Sequence, residues 1–337
     1  MSTSTLKTLK AILSERIMLL DGAMGTMIQR YTLEEADFRG DRFQQHTSPL
    51  KGDNDLLAIT RPDIIQAIHE EYFSVGSDFA TTNSFNATTI AQADYAMEAH
   101  VYDINYHAAQ CARRAADKWT AKTRNQPRFV IGALGPTNRT ASLSPDVNDP
   151  GKRLVTFDEL RGAYLQAANA LLEGGADILM IETVFDTLNA KAGLYAMAEV
   201  REKWGNVPVM VSGTITDASG RTLSGQTVEA FWISMMHGDL LSVGLNCALG
   251  ANEMLAYIKR LDQISTSFVS AHPNAGLPNE FGEYDESPEQ MASQIEWFVK
   301  GGHINILGGC CGTTPDHIAA LKALADNYAP RTIRHCT

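Results

Sequence analysis

Short apolar runs alternate along the chain with longer stretches of helical spacing. The short runs, bounded by Gly, Pro, Asn or Asp, predict strands at 17–22 (IMLLDG), 77–85 (SDFATTNSF), 128–134 (RFVIGAL) and 177–183 (DILMIET). Four more follow at 208–215 (PVMVSGTI), 240–247 (LLSVGLNC), 267–274 (SFVSAHPN) and 304–310 (INILGGC). Between them lie helical stretches such as RPDIIQAIHEEYFSVG, TFDELRGAYLQAANALLEGG and SPEQMASQIEWFVKGG. The last two open on a Thr or Ser cap and close on Gly-Gly, the expected start and stop signals.

Eight such strand–helix units predict an α/β fold, a closed parallel (β/α)8 TIM barrel. The competing doubly wound sheet lacks its phosphate fingerprint, because no G-x-G-x-x-G joins a first strand to a helix. The expected layout is an N-terminal helical extension over 1–16, the barrel over 17–328, and a tail over 329–337. Long polar connections, GPTNRTASLSPDVNDPGKR after the third strand and TDASGRTLSGQT after the fifth, fall on the C-terminal face where barrel enzymes build their sites. The region 23–60 is expected to cap the same face.

Composition changes this picture little. The 337 residues are 44% apolar, 20% charged and 8% aromatic, with a net charge of −11 and no Lys/Arg cluster, which argues against nucleic-acid binding. Lys7, Lys10, Glu15 and Arg16 interrupt the N-terminal apolar runs, and no segment has the length of a membrane span. A cytoplasmic home without membrane contact is expected. The cysteines at 111, 247, 310, 311 and 336 then read as free, metal-bound or catalytic thiols.

Cys247 closes the sixth predicted strand, and Cys310 and Cys311 close the eighth. A disulfide between the adjacent pair is disfavoured, since neighbouring Cα atoms lie about 3.8 Å apart, below the usual disulfide span. At one barrel rim the three can share a zinc ion with one open position, provided the chain leaves strand geometry at Gly308, Gly309 and Gly312. Such a site suits activation of a substrate thiol for attack on an alkyl carbon better than hydrolysis. Asp21 and Glu182 end apolar runs, so each carboxylate emerges at the rim, where the pair suits a substrate ammonium group. Asn274 can fill the open zinc position without substrate, while His272 reads as a hydrogen-bonded core residue. Cys111 and the methionines 24, 27 and 97 read as packing, and Cys336 has no site nearby.

LDGAMGT (20–26), GLNCALG (244–250) and GGCCGTTPDHI (308–318) resemble the homocysteine S-methyltransferase family. GPTNRTASLSPDVNDP, IETVFDTLNAKA, GTITDASGRTLSGQT and AHPNAGLPNEFGEYD are similar, more narrowly, to the homocysteine-binding modules of cobalamin-dependent methionine synthases. The resemblance implies a TIM barrel with zinc on Cys247, Cys310 and Cys311. It also implies L-homocysteine held by Asp21 and Glu182 through its amino group, and by backbone amides near Gly22 and Thr82 through its carboxylate. The methyl group would come from methylcobalamin, bound with folate in partner domains that this chain lacks. Three alternatives stand beside this: a stand-alone enzyme using S-methylmethionine or betaine, a module that only captures homocysteine, and a Cys310–Cys311 redox pair.

Overall fold

The computed structural model describes residues 3–216, 219–280 and 282–334. Eight parallel strands form one sheet: β1 (Met18–Leu19), β2 (Phe79–Thr81), β3 (Phe129–Leu134), β4 (Ile178–Val184), β5 (Val209–Gly213), β6 (Ser242–Asn246), β7 (Phe268–His272) and β8 (Ile306–Leu307). Their order, β1-β8-β7-β6-β5-β4-β3-β2, closes the sheet almost into a ring with helices between successive strands, a (β/α)8 TIM barrel. All eight predicted strands are present. The caps read from sequence are too: Thr156 and Ser287 each accept a backbone N–H in the first turn of their helices and form capping boxes with Glu159 and Gln290.

Strand alternation divides the core into two layers. Leu19, Ala80, Val130, Leu179, Val211, Val243, Val269 and Leu307 face the helices. Met18, Phe79, Ile131, Met180, Met210, Phe268 and Ile306 face the barrel interior, where Leu9 and Leu13 of the helix Thr3–Glu15 join them. The N-terminal segment is thus a plug under the barrel, and each such leucine contributes about 1.5–3 kcal/mol by burial. Along β5, β6 and β7 several inward positions are polar: Ser212, Ser242, Asn246, Ser270 and His272 are all buried.

The seam between β1 and β2 is closed differently from the rest. One backbone bond crosses it, from Asp78 N–H to the Leu19 carbonyl (2.7 Å), and two aspartates reinforce it. Asp78 Oδ2 accepts Leu19 N–H at 2.8 Å and its carboxylate also pairs with Arg16. At the other end Asp21 accepts both the N–H and the hydroxyl of Thr81, each at 2.7 Å. Below the barrel the buried Arg331 ties down the last described segment, meeting Asp262 Oδ1 at 2.8 Å and the carbonyls of Asp262, Ser265 and Ser267.

The region after β1 folds into short helices and is pinned over the C-terminal end of β2, where Asn83 donates to the Asn54 carbonyl and Asn86 N–H to Asp55. Cys111 is fully buried in the outer core, as are Met27 and Met97, while Met24 packs against its edge. Cys336 lies outside the described residues. No described helix is long and apolar enough to cross a membrane.

Candidate metal and substrate site

Cys247, Cys310 and Cys311 meet at the C-terminal mouth. Their sulfur atoms all lie within 4.8 Å of one another, with Cys247 Sγ and Cys311 Sγ at 3.7 Å. Two departures from strand geometry bring them there. After β6 the backbone enters the left-handed region at Cys247 (φ 60°) and Ala248 (φ 57°). After β8, Gly309 lies so close to Thr313 that an added Cβ would sit 2.4 Å from its Oγ1. Gly312 has φ +80° and the same intolerance of a Cβ, here against Tyr284. Cys310 N–H bonds to the Pro273 carbonyl, and Ala275 N–H to the Cys311 carbonyl.

Three sulfurs around zinc at about 2.3 Å in tetrahedral geometry stand about 3.8 Å apart, so this donor set fits such an ion with little contraction. Without a cation, thiols this close cannot all ionise. Hydrogen bonds from Cys247 and Cys310, aided by Tyr284, pull Cys311 down to about 3, while hydrogen bonding with Cys247 and Cys311 pushes Cys310 well above the ordinary thiol range. A cation removes that conflict.

Two carboxyls face the same mouth. Burial pushes Asp21 up to about 7 against the pull of its Thr81 hydrogen bonds. Glu182 is pushed to about 8, first by burial, then by the charges of Asp21 and Cys311. Glu182 has no hydrogen-bond partner among the described residues, so the two oxygens of a nearly buried acid stand ready for a ligand. They reach the mouth through an irregularity in β4, whose pairing with β5 shifts register between Ile181 and Val184, with Thr183 at φ 56°. A β-branched residue at positive φ is strained by about 1–3 kcal/mol.

The remaining predicted residues divide. Gly22 sits under Thr313 and Tyr72, where only glycine fits. At Thr82 the N–H is held by the Ile131 carbonyl at 2.9 Å, while the adjacent Asn83 N–H bonds to no other described residue, so an amide of this turn stays open to a substrate carboxylate. Asn274 is buried beside the cysteines, and its Oδ1 accepts Cys311 N–H at 3.1 Å, bracing the backbone there. His272 is buried as expected, lowered to about 4 by burial, but its Nε2 has no partner among the described residues, contrary to the hydrogen-bonded role expected of it.

Two contributors were missed in the sequence reading. Tyr284, in the loop after β7, lies near Cys311 and helps to lower its thiol; it falls within the AHPNAGLPNEFGEYD stretch quoted above, which gave it no role. Asn246 was detectable: Ser242, Gly244 and Asn246 form a polar face on a strand whose other residues are apolar.

The sequence profile of the homocysteine S-methyltransferase family matches residues 18–325. The fold is similar to crystal structures of the homocysteine methyltransferase MmuM from Escherichia coli. Its metallated form superposes with TM-score 0.73 at 24% identity, covering 95% of this chain and 99% of that one. The oxidized form gives 0.72 at 22%, and the apo form 0.68 at 21%, with the same coverage.

Proposed function

The chain belongs to the homocysteine S-methyltransferase family, and from that premise we propose that it activates homocysteine on a zinc ion held by Cys247, Cys310 and Cys311. The methyl donor in this reading is methylcobalamin presented by a separate domain, and the product is methionine. The observation that carries it is the placement of partnerless Glu182 and of Asp21 beside three clustered sulfurs. A thiol-bearing amino acid complements both halves. The metallated state of the MmuM relative supports a metal here.

Zinc supplies a lowered pKa to the substrate thiol, so that sulfur arrives as thiolate at neutral pH. The chain's own residues do the rest. Asp21 and Glu182 accept the substrate ammonium, which draws both carboxyls back into their ionised forms. Asp21 does so while still holding Thr81, which fixes its position. The Gly22 N–H, which bonds to no other described residue, is open to the substrate carboxylate. With the amino acid fixed at both ends, its sulfur is directed at the mouth. A sulfur lone pair forms the new S–CH3 bond, and the donor–CH3 bond breaks with its electron pair staying on the donor atom. The product thioether is neutral and would be a weaker donor to a bound metal than the thiolate.

Adding homocysteine to zinc-loaded protein should release a proton and raise the sulfur neighbours of zinc from three to four by zinc-edge absorption. An unchanged sulfur count would overturn the reading. The same site could serve a second donor class, a small sulfonium or betaine-type molecule. Incubation with homocysteine plus methylcobalamin, S-methylmethionine or betaine, followed by methionine detection, separates the donors.

A further inference from the structure

We infer that Asn246 is the positioning residue that holds the Glu182 carboxylate and the Cys310 sulfur in fixed relation, an assignment that rests on the reading of the site above. Its side chain is 2% exposed and points into the barrel from the end of β6. All of its hydrogen-bonding capacity is used across three other strands or their ends. Oδ1 accepts Thr183 N–H at 3.2 Å and the Ser212 hydroxyl at 2.6 Å. Nδ2 donates to Thr183 Oγ1 at 2.9 Å and lies 3.9 Å from Cys310 Sγ. The Asn246 carbonyl accepts the Thr214 hydroxyl at 2.9 Å.

The bonds to Thr183 explain the irregularity in β4. Leu179 and Ile181 face the helices, as alternation requires, yet Val184 faces them too. Glu182 and Thr183 are therefore both left on the mouth side, which is the register shift between Ile181 and Val184. Thr183 holds its left-handed backbone because both of its polar groups, N–H and Oγ1, land on one carboxamide. Released from Asn246, Thr183 would relax toward regular strand, and the residue before it would turn with it. The same carboxamide directs its remaining N–H at Cys310, and Cys247 follows Asn246 directly in the chain. The Glu182 carboxylate and two sulfurs thus belong to one braced unit. Asparagine suits the position because it offers a donor and an acceptor together: aspartate would set a charge against the sulfur, and serine would fall short of Thr183.

The test uses zinc-loaded protein and reads homocysteine affinity by calorimetry and metal retention by chelator competition. Asn246→Asp and Asn246→Ser should weaken homocysteine binding and speed metal loss, each by about 10–100-fold. Thr183→Gly, which relieves the backbone and removes Oγ1, should weaken homocysteine binding by a similar factor while holding metal far better than the Asn246 variants. Thr183→Ser, which keeps both bonds, should restore most of the affinity. A purely structural role would lower both readouts in proportion to melting temperature, and that proportionality would overturn the assignment, as would wild-type affinity in both Asn246 variants. If the Asn246 variants do not fold, the Thr183→Gly and Thr183→Ser pair decides alone: equal affinities overturn the assignment. A wild-type chain that takes up neither zinc nor homocysteine would overturn the underlying reading of the site, and the assignment with it.

Discussion

Replacing Glu182 by glutamine keeps the shape of the side chain and removes its ionisation. In the folded, metal-free protein the carboxyl titrates near 8, against 4.5 for a free side chain. At 1.36 kcal/mol per unit, that gap of about 3.5 units makes ionising it in place cost about 5 kcal/mol, which residual water access at the rim reduces to about 2–3 kcal/mol. The sign follows from linkage. A folded-state pKa above the unfolded one adds stability below about pH 4.5 and loses it progressively as pH rises through about 8. A glutamine side chain does not titrate, so the Glu182→Gln variant should match the wild type near pH 5 and exceed it by about 2–3 kcal/mol at pH 9. Asp21 adds a similar slope to both proteins. Urea unfolding of reduced, metal-free protein between pH 5 and 9 measures this. In zinc-loaded protein at pH 8 the same substitution should weaken homocysteine by about 30- to 1,000-fold, the cost of leaving an ammonium short of one buried partner. Parallel stability curves together with unchanged homocysteine affinity would refute the reasoning.

Cys310→Ser should lower bound zinc from about one per chain to a small fraction after dialysis, measured by elemental analysis, with homocysteine binding lost alongside. Tyr284→Phe removes a phenol that helps to hold the Cys311 thiol down, so alkylation of that thiol in metal-free protein should shift to higher pH, by one pH unit for each ~1.4 kcal/mol of interaction lost. Leu13→Ala, fully buried in the plug beneath the barrel, should cost about 2–5 kcal/mol in urea unfolding without changing zinc content.

The fold was legible because period-two apolar runs and capped helices repeat eight times, and each run became a strand of the barrel. Strand ends were less legible. The first and last runs read as 17–22 and 304–310 yet pair only over Met18–Leu19 and Ile306–Leu307. The chain there leaves the ladder to build the mouth, and composition does not encode that departure. The cysteines could be placed together because each follows a strand end. The carboxylates were found for the same reason, but not their cause: a register shift at Thr183 depends on a carboxamide two strands away. Which amide near Thr82 stays open is a tertiary fact, set by the ladder bond from the Thr82 N–H to the Ile131 carbonyl. The helix Thr3–Glu15 read as an extension, and only the assembled interior makes it a stopper.

Where most neighbouring strands share a continuous ladder, β1 and β2 are fastened mainly by carboxylates. Asp21 is at once the upper fastening and a proposed partner of the incoming amino acid. A cation drawn to it keeps it ionised and so strengthens its hold on the Thr81 amide. Occupancy of the mouth is thereby transmitted into the wall itself, and the rate at which that single amide exchanges with heavy water becomes a gauge of whether substrate is aboard.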